Sequence, residues 1–577
     1  MSRVASPSEA LTSRHQPPAR PKPGLQFTER MAGFFHVGAT DHRQGFDEGK
    51  ARGSRMSLAL TIHIGALDEM LADAEHRAVI TGTVTCAALS AHPLTVAGGE
   101  FRILPIDRDR VGAREMVYAM SLASVEGPRY DLVGRKDVHD DPGLDLWTDT
   151  TTLAVGVSDL TGQEIGRGIV RLTPGDLVRL LSSLRVTNAR GAREKLRTQA
   201  TFGRFFAGAL LDVYGGVLAP AAVHDRTVSR PARRDLALPD PEIHGFTTDD
   251  GVALRLTRYR GGTKGPVMLV PGMGTTSQAF TIDTTDMNLA EFLCGAGYDV
   301  WLFDYRASPA LSAAHEQCTL DDIALYDYPG AIREIRRISG AESIQVIAHC
   351  VGSATVLMSL AAGRAAGIRS VICSQFTMHF ATTPLLRLKG ALHLDWLWPR
   401  LGFHMLDARF DTSSGWKDKV YDALLRFYPA HAGQRCDSPV CRRIRFIYGE
   451  TFTHDAINDD THRLLYDLFG QANLTLLGQL AKMIRAGHAV DRDGNEAYLP
   501  YVSRMAVPIT FVQGTDNKIF LPRGSEETWK LLRDTNGPDL YERKVFPGYA
   551  HMDLFIGKNA HTDVFPYFVE QLDKYDH

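Results

Sequence analysis

The run SIQVIAHC, ending at Cys350, passes through Val351 alone into GSATVLMSLAAG. The first segment is a short, mainly apolar stretch of the kind that forms a strand buried on both faces, and the second places small and apolar residues at helical spacing. A buried strand turning into a helix within one residue belongs to a mainly parallel sheet with helices on both sides, and this constrains the chain more than any bulk property. Such a turn is a nucleophile elbow: it lifts the side chain at the junction above the sheet. Here the local pattern is Ala348-His349-Cys350-Val351-Gly352, which departs from G-x-S-x-G twice. Ala348 is small enough for the close packing that the first glycine normally allows. Cys350 replaces the serine with a group that ionises more readily and is a strong nucleophile. A place at a helix N-terminus favours the thiolate further. The competing reading is a buried, inert cysteine, since free cysteine is among the most buried residue types.

The segments around the elbow keep the same rhythm. From about residue 239, GVALRLTRY, GPVMLVPG and YDVWLFDY read as strands, with a helix through Leu289 to Cys294 between the last two. The pattern pauses over about 380–504, where helical and aromatic segments suggest a cap, and resumes with VPITFVQGTD. The N-terminal part of the chain has a different rhythm. Between Phe27 and Leu172, runs such as SLALTIHI, RAVITGTVTC and TTTLAVGVSDL alternate apolar with polar residues and are separated by turn formers. That is the pattern of half-buried antiparallel strands in a barrel or sandwich. The expected organisation is a disordered arm (1–26), a β-rich domain (27–188), a helical and charged connector (189–238) and an α/β domain (239–577).

Composition excludes several classes. Of 577 residues, 44% are hydrophobic and 23% charged, and the net charge of -3 exerts no general pull toward nucleic acid or anionic membrane. The first residues lack the apolar core of a signal peptide, and no stretch reaches the ~20 apolar residues of a spanning helix. Seven scattered cysteines are not a disulfide framework, which points to a reducing cytoplasm. Cys436 and Cys441 lie close together in CDSPVC, but no second cysteine or histidine pair stands nearby at zinc-ligand spacing, so neither a metal nor a cofactor is expected.

A nucleophile needs a base, and the base an orienting acid. VPITFVQGTD ends at Asp516 and FPGYAHMDLF carries His551, which gives the chain order nucleophile, acid, histidine. Asp553 competes with Asp516 for the acid role. The turn at Pro271-Gly272 offers the N–H of Met273, beside that of Val351, for an oxyanion, although a plain glycine turn reads the same way. Trp396 and Trp398 in LHLDWLWPRLGF line an apolar entrance or face a helical core.

Taken together, GPVMLVPGMG, GYDVWLFDYRAS, TLDDIALYDYPGAI, VIAHCVGS, RIRFIYGETFTHDAIN and GYAHMDLFIG resemble the α/β-hydrolase region of bacterial cholesterol-oxidase-like (GMC) flavoprotein fusions and, more distantly, the lysosomal acid lipases. FTERMAGFF and YDLVGRKDVHDDPGLDLWTDTTTL are similar to the domain preceding the hydrolase in those fusions. No G-x-G-x-x-G opens a βαβ unit near the start, so the resemblance implies no flavin. The cysteine at the elbow is similar to that of polyhydroxyalkanoate synthases and dienelactone hydrolases. The resemblance implies an α/β-hydrolase fold with a helical cap, preceded by a smaller antiparallel β-rich domain. It also implies hydrolysis of a lipophilic carboxylic ester or acyl thioester. Transfer of the acyl group to an alcohol, amine or thiol, and lipid binding by the β-rich domain on a non-catalytic scaffold, are the alternatives.

Overall fold

The computed structural model describes residues 20–139, 150–214, 234–391, 405–431 and 433–576. Two compact units account for them. The first comprises residues 1–106 and 113–215, and the second 107–112 and 216–577.

In the first unit eight strands follow one another around a ring: β1 (Gly24–Val37), β2 (Arg55–Ile64), β3 (Arg77–Cys86), β4 (Leu94–Ile106), β5 (Arg114–Ala123), β6 (Arg129–Val138), β7 (Thr152–Ser158) and β8 (Glu164–Arg171). Each pairs antiparallel with the next, and β8 returns to β1, which closes a barrel rather than a sandwich. Closure removes the exposed edges that an open sheet would leave. The alternation seen in the sequence is the in-and-out period of these strands. In β2, for example, Leu58, Leu60, Ile62 and Ile64 are buried while the residues between them are partly exposed. Inside lies a buried polar cluster in which Lys136 Nζ meets Glu29 Oε1 at 2.5 Å and the Tyr118 hydroxyl donates to Glu29 Oε2 at 2.7 Å.

Beyond the barrel, Thr173 caps a helix (Pro174–Ser183), and β9 (Arg185–Thr187) pairs with the first residues of β1. The charged stretch that follows is the start of a long helix (Ala192–Tyr214). Its Phe202, Ala209 and Val213 join the barrel's apolar core, so the helix belongs to this unit.

The second unit is built on an eight-stranded sheet. Its members are β10 (Glu242–Thr247), β11 (Ala253–Arg260), β12 (Lys264–Val270), β13 (Tyr298–Asp304), β14 (Ile344–His349) and β15 (Ile368–Ser374). After an insertion containing the short pair β16 (Met405–Asp407) and β17 (Gln471–Asn473), β18 (Ile509–Gly514) and β19 (Tyr541–Phe546) complete it. The spatial order is 10-11-13-12-14-15-18-19, antiparallel only at β10–β11 and β11–β13. Strands β13, β14 and β18 are buried at every position, as expected where helices cover both faces. The insertion between β15 and β18 carries the helices Pro384–Ala391, Trp416–Leu425, Pro439–Ile447, Asp459–Leu468 and Leu474–Ala486. Among the described residues no helix is long and apolar enough to cross a membrane.

Candidate active site

At the end of β14, Cys350 adopts φ 54° and ψ −121°, then the chain enters the helix Val351–Ala361. A non-glycine residue in this region stores backbone strain, of order 1–3 kcal/mol, and persists only where its surroundings hold it. Several bonds do so here. The Cys350 N–H donates to the Ser374 carbonyl at 2.9 Å, the Ser353 hydroxyl donates to the Ala348 carbonyl at 2.6 Å, and the Tyr328 hydroxyl donates to the Gly352 carbonyl at 2.6 Å. Gly352 is required by packing, because a Cβ there would lie 2.8 Å from the Pro271 carbonyl oxygen.

The turn after β12 supplies the other half of the site. Thr275 donates its hydroxyl proton to the Gly272 carbonyl at 3.0 Å, and Gly274, at φ +69°, approaches the Tyr448 hydroxyl so closely that a Cβ would sit 1.7 Å from it. This turn and the first turn of the elbow helix bring the N–H groups of Met273 and Val351 to the Cys350 sulfur, where both favour the charged form. Burial outweighs them and pushes the thiol up to about 12. The expectation of a resting thiolate is therefore corrected: the low dielectric around Sγ exceeds the effect of the two amides and the helix dipole.

His551 is 2% exposed, and burial holds its imidazole down to about 3. Its ring lies 4.8 Å from that of His349, centroid to centroid. The structure does not bring Asp516 to it. The Asp516 carboxylate accepts from the Thr515 hydroxyl at 2.9 Å and is partly exposed, whereas the next residue, Asn517, turns inward and meets His551 Nδ1 at 3.2 Å. Asp553 is buried too, but it accepts from the Ala550 N–H and the Thr453 hydroxyl, and burial pushes its carboxyl up to about 7.

Neighbours fix which end of the Asn517 amide faces the histidine. Its Oδ1 accepts from the N–H groups of Ile519 and Phe520, at 2.9 and 3.1 Å, and its Nδ2 donates to Gln375 Oε1 at 2.7 Å. Gln375 is in turn fixed by donating Nε2 to the Ala550 carbonyl at 3.0 Å. Nδ2 is thus the atom beside the ring, so Nδ1 accepts and the neutral imidazole carries its proton on Nε2.

Cys350, His349 and His551 open on one cavity of about 150 Å³. Apolar side chains from the insertion, including Leu386, Leu474, Leu477 and Ile484, form its wall with Ile519 and Phe520. Trp396 and Trp398 lie outside the described residues. Polar groups are few. Lys389 donates to the Phe446 carbonyl, and burial lowers its ammonium to about 8. Among the described residues, the buried Tyr448 hydroxyl and Thr451 Oγ1 find no hydrogen-bond partner, which suits each to bond a bound molecule. Asn517, Gln375 and Tyr448 were not singled out from sequence. For Asn517 a signal existed, since it follows Asp516 directly at the end of VPITFVQGTD.

The family described as alpha/beta hydrolase fold matches the chain over residues 265–558, just over half of it. Lipase lipl-3 of Caenorhabditis elegans is 24% identical over 366 residues, covering 56% of this chain and 86% of that protein. Lipase member K of Homo sapiens is 21% identical over 368 residues, covering 58% and 88%. Among solved structures, an esterase of Pyrococcus furiosus matches 61% of this chain and 99% of its own with 14% identity and a TM-score of 0.35.

Proposed function

Because the chain belongs to the α/β-hydrolase family, we propose that it is an esterase-type enzyme that hydrolyses a lipophilic carboxylic ester with Cys350 as its nucleophile. The observation that carries this reading is the strained Cys350 with the N–H groups of Met273 and Val351 at its sulfur, in an apolar cavity that also holds His551. Two backbone donors are the usual means of holding a tetrahedral oxyanion. The lipase relatives and the aliphatic walls favour a fatty acyl group.

In the proposed reaction Cys350 Sγ attacks the acyl carbonyl, the oxygen draws on the Met273 and Val351 amides, and the thiol proton passes to His551 Nε2. Collapse expels the alcohol, which takes that proton, and leaves a thioester on Cys350. Water attacks next, giving a proton to His551, and the acid and the thiol are released. For Nε2 to accept, the imidazole must carry its proton on Nδ1 instead, which needs the Asn517 amide to turn its oxygen to the ring. The resting pair is a neutral thiol and a neutral imidazole, so proton transfer accompanies attack rather than preceding it.

Acyl transfer is the second reading, and the cysteine favours it, because a thioester intermediate exchanges readily with thiols and amines. An acyl thioester donor belongs to the same reading. The relation to GMC-type fusions is proposed for the hydrolase region alone. None of the seven cysteines is joined in a disulfide, which suits a reducing compartment such as the cytoplasm.

The test is to incubate the protein with a decanoyl ester and a decanoyl thioester and map the acylated peptide by mass spectrometry. A hydroxylamine-labile acyl group on Cys350, absent from Cys350→Ala, is expected. Undiminished turnover by Cys350→Ala would overturn the assignment.

A further inference from the structure

Away from the cavity, four side chains converge that no step of the proposed reaction uses. Cys441 sits in the first turn of the helix Pro439–Ile447, with Cys436 just before it, His454 follows in the loop beyond, and His462 lies on the helix Asp459–Leu468. One ligand atom from each lies within 4.8 Å of all the others. Cys441, His454 and His462 are 4%, 4% and 7% exposed.

The spacing of these atoms is informative. Cys436 Sγ is 3.6 Å from His462 Nε2, and Cys441 Sγ is 3.5 Å from His454 Nε2. Tetrahedral zinc, with Zn–S near 2.3 Å and Zn–N near 2.0–2.1 Å, requires an S···N edge of about 3.6 Å. The orienting contacts fit as well. His454 turns its Nδ1 to the Gly433 carbonyl at 3.0 Å, which leaves Nε2 as the lone-pair donor toward the sulfurs, and Arg445 Nη2 lies 3.9 Å from Cys441 Sγ, where it compensates thiolate charge.

We propose that Cys436, Cys441, His454 and His462 form a closed tetrahedral zinc site. Two thiolates and two neutral imidazoles neutralise the dication, and four protein ligands, three of them buried and Cys436 partly so, leave no open position, so the site is structural and does not activate water. Its place gives it a task. The helix that starts at the cysteines ends in Phe446, Ile447 and Tyr448, which line the cavity, and Thr453, beside His454, bonds Asp553 in the segment carrying His551. The ion ties one wall of the cavity to the loop of the histidine. This proposal departs from the expectation that no metal binds: the two histidines are eight residues apart, wider than the usual zinc-finger spacing, and only the fold unites them with the cysteines.

The test uses the full chain, purified without a metal-binding tag, with zinc measured by mass spectrometry and the zinc then replaced by cobalt. Close to one zinc per chain is expected, with the thiolate-to-cobalt charge transfer and strong visible bands of a tetrahedral site. Cys441→Ser and His462→Gln should each weaken zinc binding by more than about 100-fold. Should these variants fail to fold, the cobalt spectrum of the unaltered chain still decides. Failure to bind zinc or cobalt, six-coordinate cobalt bands, or a Cys436–Cys441 disulfide in the native protein would each overturn the site, whatever the outcome for Cys350.

Discussion

Asn517→Asp is the substitution that most directly probes the proposed chemistry. In the native chain the amide presents Nδ2 to His551 Nδ1, and reversing it would deprive the Ile519 and Phe520 N–H groups of their acceptor and break the bond to Gln375. Leaving buried groups of this kind unpaired costs about 1–3 kcal/mol each, partly recovered by the new bond to the ring. We therefore take about 2–4 kcal/mol as the cost of reaching the reactive tautomer, equivalent to about 30- to 1000-fold in rate. A carboxylate removes most of that cost, since one oxygen keeps the two backbone N–H groups while the other accepts from Nδ1, and what remains is the loss of the donor to Gln375 Oε1. It also raises the histidine. An opposite charge at about 4 Å contributes about 4 kcal/mol at an effective dielectric of 20, or about three pH units. The imidazole, now held near 3, moves to about 6. The expected outcome is acylation of Cys350 by a decanoyl ester that is about 30- to 1000-fold faster, with its acidic limb moved upward, measured by stopped-flow release of the alcohol across pH and by NMR titration of His551. An unchanged histidine titration and an unchanged rate in a folded variant would refute the reasoning.

Other substitutions test the remaining steps. Cys350→Gly relieves the strain at φ 54° and should raise stability by about 1 kcal/mol in denaturant titration while abolishing acylation, the strain of ~1–3 kcal/mol being partly offset by glycine's greater entropy loss. The lowered pKa of His551 means that the unfolded chain binds a proton below about 6.5 that the native state refuses until about 3. Stability is therefore lost as pH falls through that window, and His551→Gln should flatten the loss by up to about 1.4 kcal/mol per pH unit, as read from urea midpoints at several pH values. In the barrel, Lys136→Met leaves Glu29 buried without its partner and should cost about 3–5 kcal/mol, whereas adding Glu29→Gln should recover most of it; equal losses in the single and double variants would refute the pairing.

How much of the structure is legible in the sequence depends on the range of the interactions involved. The elbow is readable because strand, turn and helix are contiguous, and a buried strand has no other way of entering a helix within one residue. The alternation in β2 is equally plain, but the choice of barrel over sandwich is not, since it rests on β8 returning to β1 across most of the unit. The acid position fails by one residue. Asp516 and Asn517 adjoin at the end of β18, and only the backbone turn, with Oδ1 of Asn517 collecting two N–H groups, decides which points inward. The Cys436, Cys441, His454 and His462 cluster escapes for a related reason: its spacing is set by loops and packing and matches no compact motif.

The dispersal of the catalytic parts along the chain also bears on synthesis. Cys350 precedes His551 by about 200 residues, and β18 and β19, which support the histidine's loop, are the final strands of the sheet. At about 5–20 residues per second, some 10–40 seconds separate the emergence of the two side chains from the ribosome. The barrel, whose neighbouring strands pair in order and whose closing strand has already been made, can mature in that interval. On the proposed mechanism, a nascent chain therefore holds its thiol without a working base until the segment of His551 has been made, and acylation waits for the cavity that would govern it to close.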